Sequence, residues 1–287
     1  MTLYGFEVSE EASNSYDSTN RFTLIEDETS SIKLSYTLDL HNNQHREISL
    51  QSDQPFKKIK KKQTIKFIVK DVVTFTWIVG EKKVYYVLNK LGSKELLKYW
   101  FYHTLSPLLL TFENTYFFLH AGGVEIDEKA ILFVADSFGG KSTLTDFFIK
   151  KGHLMISDDK IGTYEENGKI ISVPSYPYHR PYRKVEDLGK ELENFASKKR
   201  EIYTIFNLVK SDQESEIKIT KAIGIEKFKV LKYATDIDLS VHQELQFKSI
   251  GNIANKVKVY DITIPWKIER QEEVYQAIIS FIKMKDK

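Results

Sequence analysis

No cysteine occurs among the 287 residues, which removes disulfides, thiolate nucleophiles and thiolate metal sites together and favours a cytoplasmic home. Proline and glycine are scarce, at 6 and 13 residues, so a collagen-like or linker-dominated chain is excluded. Neither sign of charge is in excess: 42 Lys+Arg face 40 Asp+Glu, for a formal net charge of +2. Phosphate-backbone binding needs a clustered basic surplus, so nucleic acid is not expected as the main partner. Long apolar runs are missing too. The most apolar stretch, Leu105 to Leu119, is broken by Ser106, Pro107, Thr111, Glu113 and Asn114, well short of the roughly 18 to 20 unbroken residues of a membrane span. No membrane partner is expected. The acidic start MTLYGFEVSEE lacks the basic head and apolar core of a signal peptide, so export is not expected either.

What is present is a globular composition, 41% hydrophobic and 13% aromatic, long enough for about two domains. The first third reads as β-rich. Thr64 to Val69, Val72 to Val79 and Lys82 to Leu88 are dense in Val, Ile, Phe, Tyr and Thr, with a turn at Gly80-Glu81, which predicts a small antiparallel sheet. Residues 10–20 and 41–54 are polar and read as loops. Lys57, Lys58, Lys60, Lys61 and Lys62 form a basic run that suits either a solvated loop or a docking patch for an acidic peptide. Ser93 then caps a helical pattern in KELLKYWFYHTL that would bridge two halves and bend or end at Pro107. The domain boundary is placed near residue 92. Residues 1–92 form a β-rich domain suited to peptide or partner recognition, and residues 93–287 form the second domain.

In the second part the rhythm changes to strands at Tyr116 to His120 and Ala130 to Ala135, a glycine-containing loop, a helix from Lys141 to Lys151 capped by Gly152, and a strand from His153 to Ser157. That is an α/β unit. Asn167-Gly168 predicts a hairpin. Further on come a strand at Ile202 to Val209, helical patterns at Ile225 to Tyr233 and Leu239 to Ala254, a strand at Val257 to Ile262 and a closing helix at Glu272 to Ile282.

The segment ILFVADSFGGKSTL carries the chemistry. The P-loop pattern is Gly, four variable residues, then Gly-Lys-Ser/Thr. Here Ala135 stands in the first glycine position, followed by Asp136, Ser137, Phe138, Gly139, then Gly140, Lys141 and Ser142, with Thr143 next. Amides of such a loop point at phosphate oxygens. Lys141 would neutralise the β- and γ-phosphates, and Ser142 offers Mg²⁺ a hard oxygen ligand. Phe138 is out of place if its position needs a left-handed backbone. Asp158-Asp159 ends the next strand. If the strand runs through them, one carboxylate faces the nucleotide, where it can accept a hydroxyl proton, while the other orients metal or braces backbone. A turn-forming acidic pair is the plainer reading.

Residues 119–159, LHAGGVEIDEKAILFVADSFGGKSTLTDFFIKKGHLMISDD, resemble the catalytic core of HPr kinase/phosphorylase, a bacterial P-loop protein-serine kinase related in fold to phosphoenolpyruvate carboxykinase. The match lies in His120, Asp136-Ser137, Lys141-Ser142, Gly152-His153 and Asp158-Asp159. The resemblance implies a mixed α/β fold with a P-loop core behind the β-rich N-terminal domain, and an ATP- and Mg²⁺-dependent kinase acting on a serine hydroxyl of a small protein or ribosomally made peptide. It further implies Asp159 as general base, His120 as its helper, Ser142 and Asp158 at the metal, and homo-oligomeric assembly. Ala135 and Phe138 depart from the family's glycines, and the family's downstream glycine-rich signature is not recognisable, which puts the reverse phosphorylase reaction in doubt. The LHA, GKSTL and YP segments look more like a divergent branch similar to lasso-peptide kinases.

His120 alone would also suit a core histidine at a strand end. In SYPYHRPYRKVED, Arg180 and Arg183 could clamp phosphate or hold an acidic peptide, a solvated connection being equally open. Glu186 is a candidate second metal contact. The remaining histidines show no zinc spacing. Two other classes compete with the serine kinase: a small-molecule kinase on the same cradle, and a non-catalytic nucleotide sensor.

Overall fold

The computed structural model describes residues 2–10, 20–27, 32–40, 46–136, 138–180, 184–239 and 243–285. The chain divides into two compact units: Met1–Tyr116 with Tyr182–Gly189 and Leu239–Gln243, and Phe117–Pro181 with Lys190–Asp238 and Glu244–Lys287. The class is mixed α/β. Among the described residues no helix is long and apolar enough to cross a membrane.

The first unit is built on eight strands: β1 (Thr2–Leu3), β2 (Phe6–Glu10), β3 (Arg21–Glu26), β4 (Tyr36–Leu40), β5 (Ile48–Ser52), β6 (Thr64–Val69), β7 (Val73–Ile78) and β8 (Lys83–Leu88). Their order is β1-β2-β3-β8-β7-β6-β5-β4. The strands from β8 to β4 are antiparallel, whereas β2, β3 and β8 run parallel. The sheet is therefore larger than the small antiparallel one expected, and mixed. Residues 48–52, expected in a loop, form β5 because Ile48, Leu50 and Ser52 alternate inward. Residues 11–19 and 41–45 lie outside the described set.

Two helices, α1 (Lys94–Trp100) and α2 (Ser106–Phe112), are joined by a π-helical turn, Phe101–Leu105. Ser93 caps α1 by accepting the Leu96 N–H at 3.3 Å. The stretch continues through Pro107 instead of stopping there. The widened turn, in which the Ser106 N–H bonds Phe101 O, stands where the proline ring would otherwise press on the preceding carbonyls. This stretch belongs to the first unit. Trp100 packs on Phe67, Phe101 on Phe22 and Phe75, and Phe112 on Trp77, with ring centroids 5.9 to 6.4 Å apart. The division accordingly falls between Tyr116 and Phe117 rather than near residue 92.

The second unit holds β9 (Phe117–His120), β10 (Gly122–Ile126), β11 (Lys129–Val134), α3 (Lys141–Lys150), β12 (Leu154–Ser157), β13 (Lys160–Glu166), β14 (Lys169–Val173), β15 (Tyr178–His179), β16 (Lys190–Glu191), β17 (Arg200–Ser211), β18 (Ile219–Lys221), α4 (Gly224–Tyr233), α5 (Gln243–Lys256), β19 (Lys258–Pro265) and α6 (Gln271–Lys285). β17 is its spine, parallel to β11 and β19 and antiparallel at its start to β14. Alternate residues of β11 feed two cores: Leu132 and Val134 pack with Leu231, Ile250 and Ile253, while Ile131 and Phe133 pack with Phe148, Val274 and Ile278. Helices thus cover both faces of the sheet. Asn167 and Gly168 have φ of 51° and 79°, the left-handed pair that a two-residue hairpin turn requires. Gly152, at φ 94°, follows the end of α3 as expected.

Candidate functional site

β11, buried from Ala130 to Val134, delivers the chain to the turn at Ala135. There the Gly139 N–H donates to Asp136 O at 2.8 Å. A Cβ on Gly139 would stand 2.8 Å from both Ala135 Cβ and Asp136 O, so the turn closes only with glycine. Phe138 does take a left-handed backbone, φ 61°, and its ring is 87% exposed. Gly140, at φ 90°, is the N-cap of α3. Lys141 is buried with its Nζ 3.5 Å from Ala135 O, an oxygen that also accepts from Tyr233 Oη at 3.3 Å. Ser142 is half-buried and Thr143 exposed on the first helical turn. Ser137 lies outside the described residues.

β12 stops at Ser157, whose Oγ accepts the N–H groups of Asp159 (3.4 Å) and Lys160 (3.2 Å) and donates to Lys160 O (2.8 Å). Asp158 and Asp159 therefore sit on a bend, and the strand alternation expected of them does not apply. Pairing sets what they meet. Lys160 lies opposite His120 in the β9–β13 ladder, and the Ala121 N–H donates to Asp159 O at 2.9 Å. His120 Nδ1 comes within 3.2 Å of Asp159 Oδ1, and Arg180 Nη2 lies 3.4 Å from Asp159 Oδ2. Asp158 Oδ2 accepts the Arg180 N–H at 2.8 Å.

Three further residues join the cluster that the sequence did not single out for it. His179 places Nδ1 3.2 Å from Asp158 Oδ1 and Nε2 3.2 Å from Asp146 Oδ1, on α3. The approach to Asp158 is close but poorly aligned, and both facing atoms are buried without a hydrogen bond. Asp236 accepts from Lys160 Nζ at 2.9 Å and lies 3.9 Å from His120 Nδ1. Asp146, His179 and Asp236 arrive from α3, β15 and the segment after α4, a convergence that no local spacing announces.

Burial is the largest influence on His120 and pushes its pKa down; the Lys141 charge adds to this, while Asp159 and Asp236 oppose it. The imidazole is thus held toward its neutral form. Burial also works against the charge on His179, but Asp158 and Asp146 outweigh it and raise that pKa.

Among the described residues no three His, Asp or Glu side chains converge as a ready-made metal cage. A magnesium ion fits here only with phosphate oxygens and water supplying most of its ligands, its usual preference. The unsatisfied Asp158 Oδ1 is a protein oxygen suited to face it. Glu186 does not fit such a role: its oxygens take Arg46 at 2.9 and 2.7 Å and Trp100 Nε1 at 3.0 Å within the first unit. Arg180 is buried against the aspartates, and Arg183 lies outside the described residues. The Lys57–Lys62 lysines are exposed.

No protein-family model and no curated protein matches the chain. Among solved structures it is similar to the HPr(Ser) kinase/phosphatase from Coxiella burnetii, at 18% sequence identity and a TM-score of 0.36, over 58% of this chain and 98% of that one.

Proposed function

We propose that the protein is a phosphotransferase that binds ATP with magnesium on the 135–143 turn and phosphorylates a serine hydroxyl of a ribosomally made peptide or small protein. The sequence resemblance over residues 119–159 supports the acceptor class. One observation carries the chemistry: the half-buried His120 imidazole stands 3.2 Å from the Asp159 carboxylate on the acid bend and feels the Lys141 cation at the head of α3. Phosphate binding and proton acceptance are thereby brought to one place.

ATP would supply the phosphoryl group, and magnesium would offset the charge on its oxygens. Lys141 and the main-chain N–H groups of the first turn of α3 hold the phosphates. Asp159, steadied by His120 on one oxygen and Arg180 on the other, takes the proton of the serine hydroxyl as it attacks. Asp158, whose Oδ2 accepts the Arg180 N–H, fixes the bend, and its Oδ1, which faces His179 without a hydrogen bond, is the oxygen it would offer the cation.

The test is transfer from γ-labelled ATP to separate pools of ribosomal peptides and small metabolites, with Asp159→Asn in parallel. The expected result is label in the peptide pool, lost by a factor of about 100 or more in the variant, with ATP affinity nearly intact. Label confined to the metabolite pool, or equal transfer by the variant, overturns the acceptor or the base assignment respectively.

A further inference from the structure

Beside the head of α3 the second unit contains an apolar cavity of about 250 Å³. Leu144 and Val274 line it from α3 and α6, Trp266 and Ile268 from the connection after β19, and Gly140 and Thr143 from the phosphate turn itself. Trp266 is 42% exposed, whereas the other two tryptophans, Trp77 and Trp100, are fully buried in the first unit. A Cβ on Gly140 would come 3.6 Å from Trp266 Cζ3, so the indole edge stands beside the turn's backbone. Lys210 Nζ lies 3.8 Å from the centroid of that ring, a cation–π contact that steadies the indole.

We infer that this cavity receives the base of the nucleotide whose phosphates the turn holds. The inference rests on the nucleotide-binding reading above and extends it. Gly140 and Thr143 belong to both the turn and the cavity wall, so a ligand anchored by phosphates at the first turn of α3 has the cavity as its neighbour. The volume lies below the roughly 300 to 1,000 Å³ of pockets that enclose whole drug-sized molecules, which suits one flat ring system better than an entire nucleotide. Apolar walls with one indole match the stacking surface of a base. Gln271 and Lys267, also in the lining, bring side-chain hydrogen-bonding groups for its edge.

Calorimetry and tryptophan emission on the full-length protein with magnesium test this, using ATP and inorganic tripolyphosphate as probes. ATP is expected to bind more tightly than tripolyphosphate and to shield Trp266 from acrylamide quenching, while tripolyphosphate leaves quenching unchanged. Trp266→Ala should weaken ATP by about tenfold or more, within the range of base–aromatic stacking, without altering tripolyphosphate affinity; Trp266→Phe should restore most of the loss. If ATP and tripolyphosphate bind equally and Trp266→Ala changes neither, the base site is overturned while nucleotide binding stands. If neither probe binds, the nucleotide-binding reading falls and takes the inference with it.

Discussion

His120 and His179 flank the acid bend with opposite responses to pH. Burial first, and then Lys141, hold the His120 pKa down. The folded state therefore resists protonating it, and stability is lost as pH falls from the ordinary histidine value of about 6.5 toward the lower folded value. For His179 the two carboxylates overcome burial and raise the pKa. Its contribution is fully present below about 6.5 and fades as pH climbs through the raised folded value. Urea titrations across pH should thus show His179→Gln costing most stability in acid and progressively less in alkali, and His120→Gln the reverse trend. A pH-independent difference for both would contradict the assignment. Lys141 could be picked out because the P-loop spacing carries it, and Asp158-Asp159 and His120 because of the family resemblance over residues 119–159. Asp146, His179 and Asp236 were not, since cross-strand register and a helix turn assemble them. Phe138 was legible as a misfit, and its φ of 61° with an almost fully exposed ring shows strain without packing in return.

At the level of elements, the seat of α3 depends on Gly122, the first residue of β10, while Gly123 beside it packs under Ile161 of β13. A Cβ on Gly122 would lie 2.3 Å from Thr145 Oγ1, and one on Gly123 would lie 2.6 Å from Ile161 Cδ1. Gly122→Ala should therefore push α3, and with it the turn at its head, off the sheet, at a cost of about 1 to 3 kcal/mol. Thr145 Oγ1 is buried without a hydrogen bond, so adding Thr145→Ala should return most of that stability in chemical denaturation and restore ATP affinity. No recovery in the double variant would place the clash elsewhere. The strands β6, β7 and β8, the Asn167-Gly168 hairpin and α3 were readable because apolar periodicity and turn residues agree locally. β5 and β10 escaped because their residues are short, polar or glycine-led and gain strand form from neighbours. The π turn escaped because proline chemistry alone predicts only a bend or a stop, and only the surrounding aromatic contacts explain why the helix runs on.

For the whole molecule, the boundary shifted because Trp100, Phe101 and Phe112 belong energetically to the first sheet, a fact that helical periodicity cannot express. Each unit has its own core, and the 135–143 turn, acid bend and apolar cavity all lie in the second. Phe75, fully buried in the first unit, provides a test: Phe75→Ala should cost about 3 to 5 kcal/mol of stability there, yet leave ATP affinity unchanged below the onset of unfolding. A parallel loss of ATP affinity in the cold, folded protein would show that the first unit contributes to the site. Within the second unit, β10 runs between β11 and β12, and the turn and the bend follow the ends of those two outer neighbours. Two inter-strand steps of about 4.8 Å each make a gap of roughly 10 Å, a gauge set by main-chain hydrogen bonding and beyond the reach of side-chain replacement. Whatever donor and acceptor meet there must fit that fixed span, leaving the surrounding side chains to decide only which pair is admitted.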